Sequence, residues 1–143
     1  MALPDTINLQ GATSRTTGIA AETVAAGANF LGSEIDNSAN LDDEAAIEVL
    51  HTCSTAATAG GVLMIYLLAA IDGTNYEDGG TSVDPSRVPD MVVVTRNVTT
   101  DQRTTRWRVP LPPHKVKILV RSELDQSASV TVLLYGHGKR VSD

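Results

Sequence analysis

Gly60-Gly61-Val62-Leu63-Met64-Ile65-Tyr66-Leu67-Leu68-Ala69-Ala70-Ile71 runs directly into Asp72-Gly73-Thr74-Asn75-Tyr76-Glu77-Asp78-Gly79-Gly80. The first part is apolar on both alternating faces. Val62, Met64, Tyr66 and Leu68 fall on one, Leu63, Ile65, Leu67 and Ala69 on the other. A strand apolar on both faces is covered above and below, so this one is expected at the centre of the fold. It is too short, and too closely bracketed by Gly, to span a membrane, which takes about 20 apolar residues. The second part is a loop of Gly and short polar side chains that tolerate positive φ or bond their own backbone.

Working outward, the same alternation recurs. Residues 30–36 predict a short strand. Residues 41–52 carry both a helix start (Asn40, then Asp42, Asp43 and Glu44) and a strand pattern (Ala45, Ile47 and Val49 against Glu44, Ala46 and Glu48); strand is preferred because strands flank it. Met91 to Thr95 is β-branched. Arg103, Thr105, Trp107 and Val109 alternate with Thr104, Arg106 and Arg108. Val116, Ile118 and Val120 alternate with Lys115, Lys117 and Arg121, and residues 129–135 form the last strand. Pro85, Pro89 and Pro110-Leu111-Pro112-Pro113 mark connections that no strand interior accepts. Seven to nine short strands, with turn signals between them and no long helix, predict an all-β chain: an antiparallel β-sandwich of the jelly-roll kind. The division expected is an extended N-terminal arm or edge segment over residues 1–29, the sandwich over 30–135 and a polar tail over 136–143. Ala-rich residues 20–26 allow a turn or two of helix within the arm.

The length of 143 residues suits one domain. The chain is 42% hydrophobic but only 3% aromatic, so its core is built from Val, Leu, Ile and Ala. A formal net charge of −6 speaks against a general nucleic-acid binder. The single Cys53 excludes an internal disulfide framework and a Cys-based zinc site. Met1-Ala2-Leu3-Pro4-Asp5 has neither a charged n-region nor an apolar h-region, so no secretory signal is expected. The charge is divided along the chain. Twelve acids and one base, Arg15, precede Arg87; ten bases and five acids follow from Arg87 onward. Pairing of early with late strands neutralises such an asymmetry inside one fold, and contact between copies is the rarer alternative.

Candidate chemistry is sparse. Asp72, Asn75, Glu77 and Asp78 put four oxygen-bearing side chains in one loop, with Tyr76 among them. Their spacing does not match an EF-hand, and Asx-type bonds stabilising a turn are the preferred reading. His51, His114 and His137 share no metal-ligand spacing. Gly-x-Ser-x-Gly is absent, and Cys53 has no basic neighbour to lower its pKa. No catalytic, cofactor or metal residues are assigned, and no enzyme is expected. Arg106, Arg108, Lys115, Lys117 and Arg121 form a possible basic ladder on a sheet face. With Asp72, Asn75, Tyr76, Glu77 and Asp78 they make up the candidate interface residues.

Thr58-Ala59-Gly60-Gly61, the apolar strand, then Asp72-Gly73-Thr74-Asn75-Tyr76, resemble small β-sandwich virion proteins of tailed bacteriophages. Val109-Pro110-Leu111-Pro112-Pro113 before Lys115-Val116-Lys117-Ile118-Leu119-Val120 extends the likeness, which covers roughly residues 31–135. The resemblance implies assembly without catalysis: a capsid decoration or cement protein in the virion, made in the host bacterial cytoplasm. Its implied partners are the major capsid protein or other virion proteins and copies of itself, with no nucleic acid and no membrane. The alternatives are a head–tail or tail accessory protein, or a carbohydrate-binding host-attachment module with Tyr76 as its aromatic platform.

Overall fold

The computed structural model describes residues 7–9 and 14–141, with side-chain surroundings given for residues 15–138. The described residues form ten strands and no helix. In chain order these are β1 (Ile7–Leu9), β2 (Ser14–Val24), β3 (Asn29–Asp36), β4 (Glu44–Cys53) and β5 (Val62–Ala70). There follow β6 (Met91–Val94), β7 (Gln102–Pro110), β8 (Lys115–Ser122), β9 (Ala128–His137) and β10 (Lys139–Val141). Eight of them make two four-stranded antiparallel sheets, ordered β2-β9-β4-β7 and β3-β8-β5-β6, while β1 and β10 pair as a separate ribbon. From β2 to β9 the chain changes sheet at every connection except β5 to β6. This is the jelly-roll sandwich that the strand pattern predicts.

Where the chain is alternately apolar, one face turns inward. Ile47 and Val49 of β4, Leu63 and Ile65 of β5, Val116, Ile118 and Val120 of β8, and Val130 and Val132 of β9 are almost wholly buried between the sheets. That core cluster is aliphatic, with Phe30 packed at its margin. Residues 1–29, expected as an arm or edge segment, contain β1 and β2, and β2 is an edge strand paired with β9. Composition hides β2 because, among its described side chains, only those of Ile19 and Val24 are buried. The strand continues to Val24, so no helical turn forms over residues 20–24. Residues 1–6 and 10–13 of the expected arm, and 142–143 of the expected tail, lie outside the described residues.

The doubly apolar β5 is interior to its sheet, flanked by β8 and β6. Its Leu63, Ile65 and Leu67 belong to the inter-sheet core. Its other face belongs to a second, smaller cluster, in which Tyr66, Leu68 and Leu119 pack with Leu31, Met64 and Tyr76. That face is covered by the loop that follows β5. Gly79 lies so close that an added Cβ would stand 2.9 Å from the Leu68 side chain. With φ at +149°, Gly79 also holds a backbone conformation that side-chain-bearing residues avoid.

Candidate interface site

Residues 71–90 link β5 to β6 and fold back over the outer face of their own sheet. The turn at their start is built by Asp72. Its carboxylate accepts from the Thr74 and Asn75 N–H groups at 2.9 and 2.7 Å and from the Asn75 amide at 2.7 Å. These bonds favour the charged carboxylate and bring its pKa down to about 2. Tyr76 then reaches back to β3, where its hydroxyl donates to Glu34 at 2.5 Å. Burial, with that bond to a carboxylate, pushes the phenol up to about 12. Glu34 is held below the usual carboxylate range, first by Tyr76 and then by Lys115, which lies 2.9 Å away. The Lys117 ammonium sits 4.3 Å from the Tyr76 ring centre, so one face of the ring is occupied. Further along, the Asn29 amide donates to the Gly80 and Val83 carbonyls and to Asp84, and Arg121 pairs with Asp84 at 2.5 Å.

The end of the loop solves a different problem. β6 has four residues and pairs only with Val62 to Ile65, leaving the rest of that β5 edge without a strand neighbour. Unpaired backbone groups on a half-buried edge are costly and invite foreign strands. Three charged side chains take the place of the missing strand. Asp90 accepts from the Leu67 N–H at 2.7 Å, Glu77 accepts from the Ala69 N–H at 2.9 Å, and Arg87 donates to the Leu67 carbonyl at 2.8 Å. Arg87 also bridges the two carboxylates, at 2.6 Å to Asp90 and 3.3 Å to Glu77. A groove of about 450 Å³ runs beside this sealed edge, its other wall formed by residues 110–113.

The expected basic ladder is divided between the two sheets. Lys115, Lys117 and Arg121 lie on β8 in one, Arg106 and Arg108 on β7 in the other. The β8 set is engaged by Glu34, by the Tyr76 ring, and by Asp84 and Glu123. Of the candidate loop residues, Asp72 and Asn75 hold the turn, Tyr76 and Glu77 hold the loop to the sheet, and Asp78 is exposed.

Arg106 and Arg108 stand differently, because β7 carries a bulge. Ala45 pairs with Val109 and Ile47 with Arg106, so Trp107 and Arg108 together oppose a single residue, Ala46. Arg108 takes the left-handed conformation, with φ at +58°. The bulge breaks the alternation that places Trp107 and Val109 on one side: Val109 is buried and Trp107 is 69% exposed. The Arg106 guanidinium reaches across to the Asp90 carbonyl, tying β7 to the start of β6. At the other end, the Arg96 N–H donates to the Gln102 side chain at 2.9 Å. Val92 and Val94 on β6 and Trp107 on β7 are exposed, as are Arg106 and Arg108 on either side of Trp107 in the chain. Sequence reading passed over Trp107, Arg87 and Asp90. The available signal at Trp107 was its place between two arginines in a strand with few apolar residues. For Arg87 and Asp90 no local signal exists, since their partners are set by the shortness of β6.

No family model matches the chain, and no curated protein matches it. Among solved structures it is similar to a mutant xylanase 10C from Cellvibrio japonicus in complex with xylopentaose, at 17% identity and a TM-score of 0.52, over 90% of this chain and 26% of that one. It is also similar to the C-terminal CBM6 of LamC, a marine laminarinase from Zobellia galactanivorans, at 10% identity, TM-score 0.49, over 78% of this chain and 74% of that one. A third is the Gx strain of infectious bursal disease virus, at 12% identity, TM-score 0.47, over 87% of this chain and 32% of that one. What is shared is the fold. The chain spans about a quarter of the xylanase chain and a third of the viral one. Among the described residues, no group of three or more His, Cys, Asp or Glu is placed to hold a metal ion.

Proposed function

We propose that the protein is a non-enzymatic structural protein of a tailed-bacteriophage virion, a decoration protein that binds the capsid and stabilises its lattice. The observation that carries this reading is the β7 bulge, which holds Trp107 out into solvent between Arg106 and Arg108. Trp and Arg dominate the energy of protein–protein contacts. An aromatic mounted on a paired strand loses little conformational freedom when it docks. The two corners that resemble phage virion proteins, residues 72–76 and 109–113, are both integral to the fold. Asp72 organises the first. The second is tied down by Asn37, whose amide donates to the Pro112 and Asp42 carbonyls at 2.8 and 2.7 Å. A capsid surface with acidic side chains around an apolar recess is the partner that Trp107 and its arginines fit.

Co-sedimentation with capsids of the source phage tests this. Trp107→Ala and the double change Arg106→Glu with Arg108→Glu should each weaken binding about tenfold or more. The thermal midpoint of Trp107→Ala should stay near that of the parent, since the side chain is largely exposed. A parent chain that neither sediments with capsids nor alters their resistance to heat or chelators ends the decoration reading. Trp107 also favours a second reading, a carbohydrate-binding module, because an exposed indole is a stacking surface for a sugar ring. Glycan-array binding that Trp107→Ala abolishes, without capsid binding, would support that reading instead.

A further inference from the structure

The two sheets have four edge strands, β2, β7, β3 and β6. Three of them are irregular, and in each case the extra residue lies on the edge strand itself. On β2 the register shifts at Ile19 and again before Glu22, with Ala21 at φ +48°. On β3 it shifts between Leu31 and Glu34, and on β7 at Trp107 and Arg108. Bulges of this kind prevent a further strand from adding. The open stretch of β5 is closed by Asp90, Glu77 and Arg87. β6 has none of these devices. Met91-Val92-Val93-Val94 is uncharged, and its register with β5 is unbroken from Val62↔Val94 to Ile65↔Met91.

The outward groups of β6 follow from the pairing. The Val62 carbonyl accepts from Glu123, on the β8 side, and the Ile65 carbonyl accepts from Asp90, on the β6 side. Residues 63 and 65 therefore bond toward β6, and their opposites Val93 and Met91 bond back. The backbone groups of Val92 and Val94 point away from the sheet, and their side chains are 48% and 62% exposed.

We propose that β6 is a self-pairing edge, on which a second copy of this chain adds its own β6 antiparallel about a two-fold axis at Val93. A two-fold contact must be self-complementary, and the segment around Val93 has that property. Val92 and Val94 lie one residue to either side, Asp90 and Arg96 three, and Val88 and Val98 five. In the register centred on Val93, Val92 of each copy faces Val94 of the other, which forms four backbone hydrogen bonds. Arg96 of each copy meets the Asp90 end of the other, so no like charges are opposed at those positions. Asp90 keeps its bonds to Arg87 and the Leu67 N–H, and the Asp90 carbonyl stays with Arg106, so the new ladder is confined to Val92 and Val94. The outer edge of the bulged β7, in the other sheet, takes no added strand. The proposal is independent of capsid binding.

Sedimentation of the full chain from micromolar to millimolar concentration, with amide exchange at the same concentrations, tests it. The parent should form dimers. Protection at the Val92 and Val94 amides should rise with concentration, while Val93 is protected throughout by β5. Val92→Lys with Val94→Lys changes only exposed side chains. It should keep the parent's thermal midpoint at concentrations low enough for both to be monomeric, weaken self-association about tenfold or more and abolish the concentration-dependent protection. A parent that stays monomeric to millimolar concentration overturns the proposal. So does an oligomer that the lysine variant leaves intact. Capsid co-sedimentation of the same variant separates the two readings. A dimer without capsid binding removes the decoration reading alone, and a capsid-binding monomer removes the pairing alone.

Discussion

His51 shows what a single side chain contributes here. It points inward from β4 and is 1% exposed, with Nε2 3.2 Å from the Thr95 hydroxyl. Among the described residues Nδ1 has no hydrogen-bond partner, nor has the Nε2 of Gln102, its cross-strand neighbour on β7. Burial disfavours the charged ring and pushes its pKa below the ordinary value. Between the folded and unfolded values the unfolded chain binds more protons, so stability rises with pH there. Unfolding free energy should be level between about pH 6.5 and 8 and fall as pH drops below that window. The carboxylates held low (Asp72, Glu34, Asp36 and Asp125) add their losses only below about pH 4.5. Urea denaturation at a series of pH values checks this: His51→Gln should be flat between about pH 6.5 and 5, where the parent declines. An identical decline in both would mean that another group carries it. The sequence placed His51 on a strand, but its inward direction depended on the register of β4. By contrast, the Asp72 turn was readable from four consecutive residues, since all its hydrogen bonds are local.

At the scale of elements, legibility follows the range of the interactions. The span of β5 and its two apolar faces are written in consecutive residues, because alternation is a local property. What covers the second face is not, since Tyr76 meets Glu34 on β3 and Asp84 meets Arg121 on β8. The β7 bulge is equally hidden: a period-two pattern assumes an unbroken ladder, and one inserted residue reverses every later face. The sealing of β5 gives a prediction at this scale. Asp90→Ala leaves the half-buried Leu67 N–H without its acceptor and Arg87 without its closer partner. An unsatisfied buried donor costs about 1–3 kcal/mol, so the unfolding free energy should fall by about that amount. The freed edge should also raise the rate of aggregation on mild heating. Chemical denaturation and light scattering measure the two effects. A variant as stable and as soluble as the parent would show that water replaces the carboxylate without cost.

The whole molecule answers the charge asymmetry noted in the sequence. Glu34 with Lys115, Asp84 with Arg121 and Glu48 with Arg103 join the acidic first part to the basic second part within one fold. All three pairs are at least partly exposed and lie within a sheet or between a sheet and its covering loop, so each adds little stability. Which strands meet was beyond the sequence. Alternation predicts strands but says nothing about their order, and here every sheet neighbour but β5 with β6 is distant in the chain. That topology carries its own expectation. Each pairing must close a long loop before any contact offsets the lost entropy, and chains dominated by such pairings fold in roughly milliseconds to seconds. Only β5 and β6 are sequential neighbours, and even they are separated by residues 71–90, which must settle on the sheet as it forms. Refolding from urea should therefore lack a sub-millisecond recovery of native signal. Far-UV circular dichroism is the right probe, because the single tryptophan, Trp107, is 69% exposed and its emission should change little on folding. A stopped-flow experiment in which the full native dichroism returns within the dead time would contradict this order of events. It would mean that a local unit, most simply the β5–β6 pair with its loop, forms before the sandwich closes.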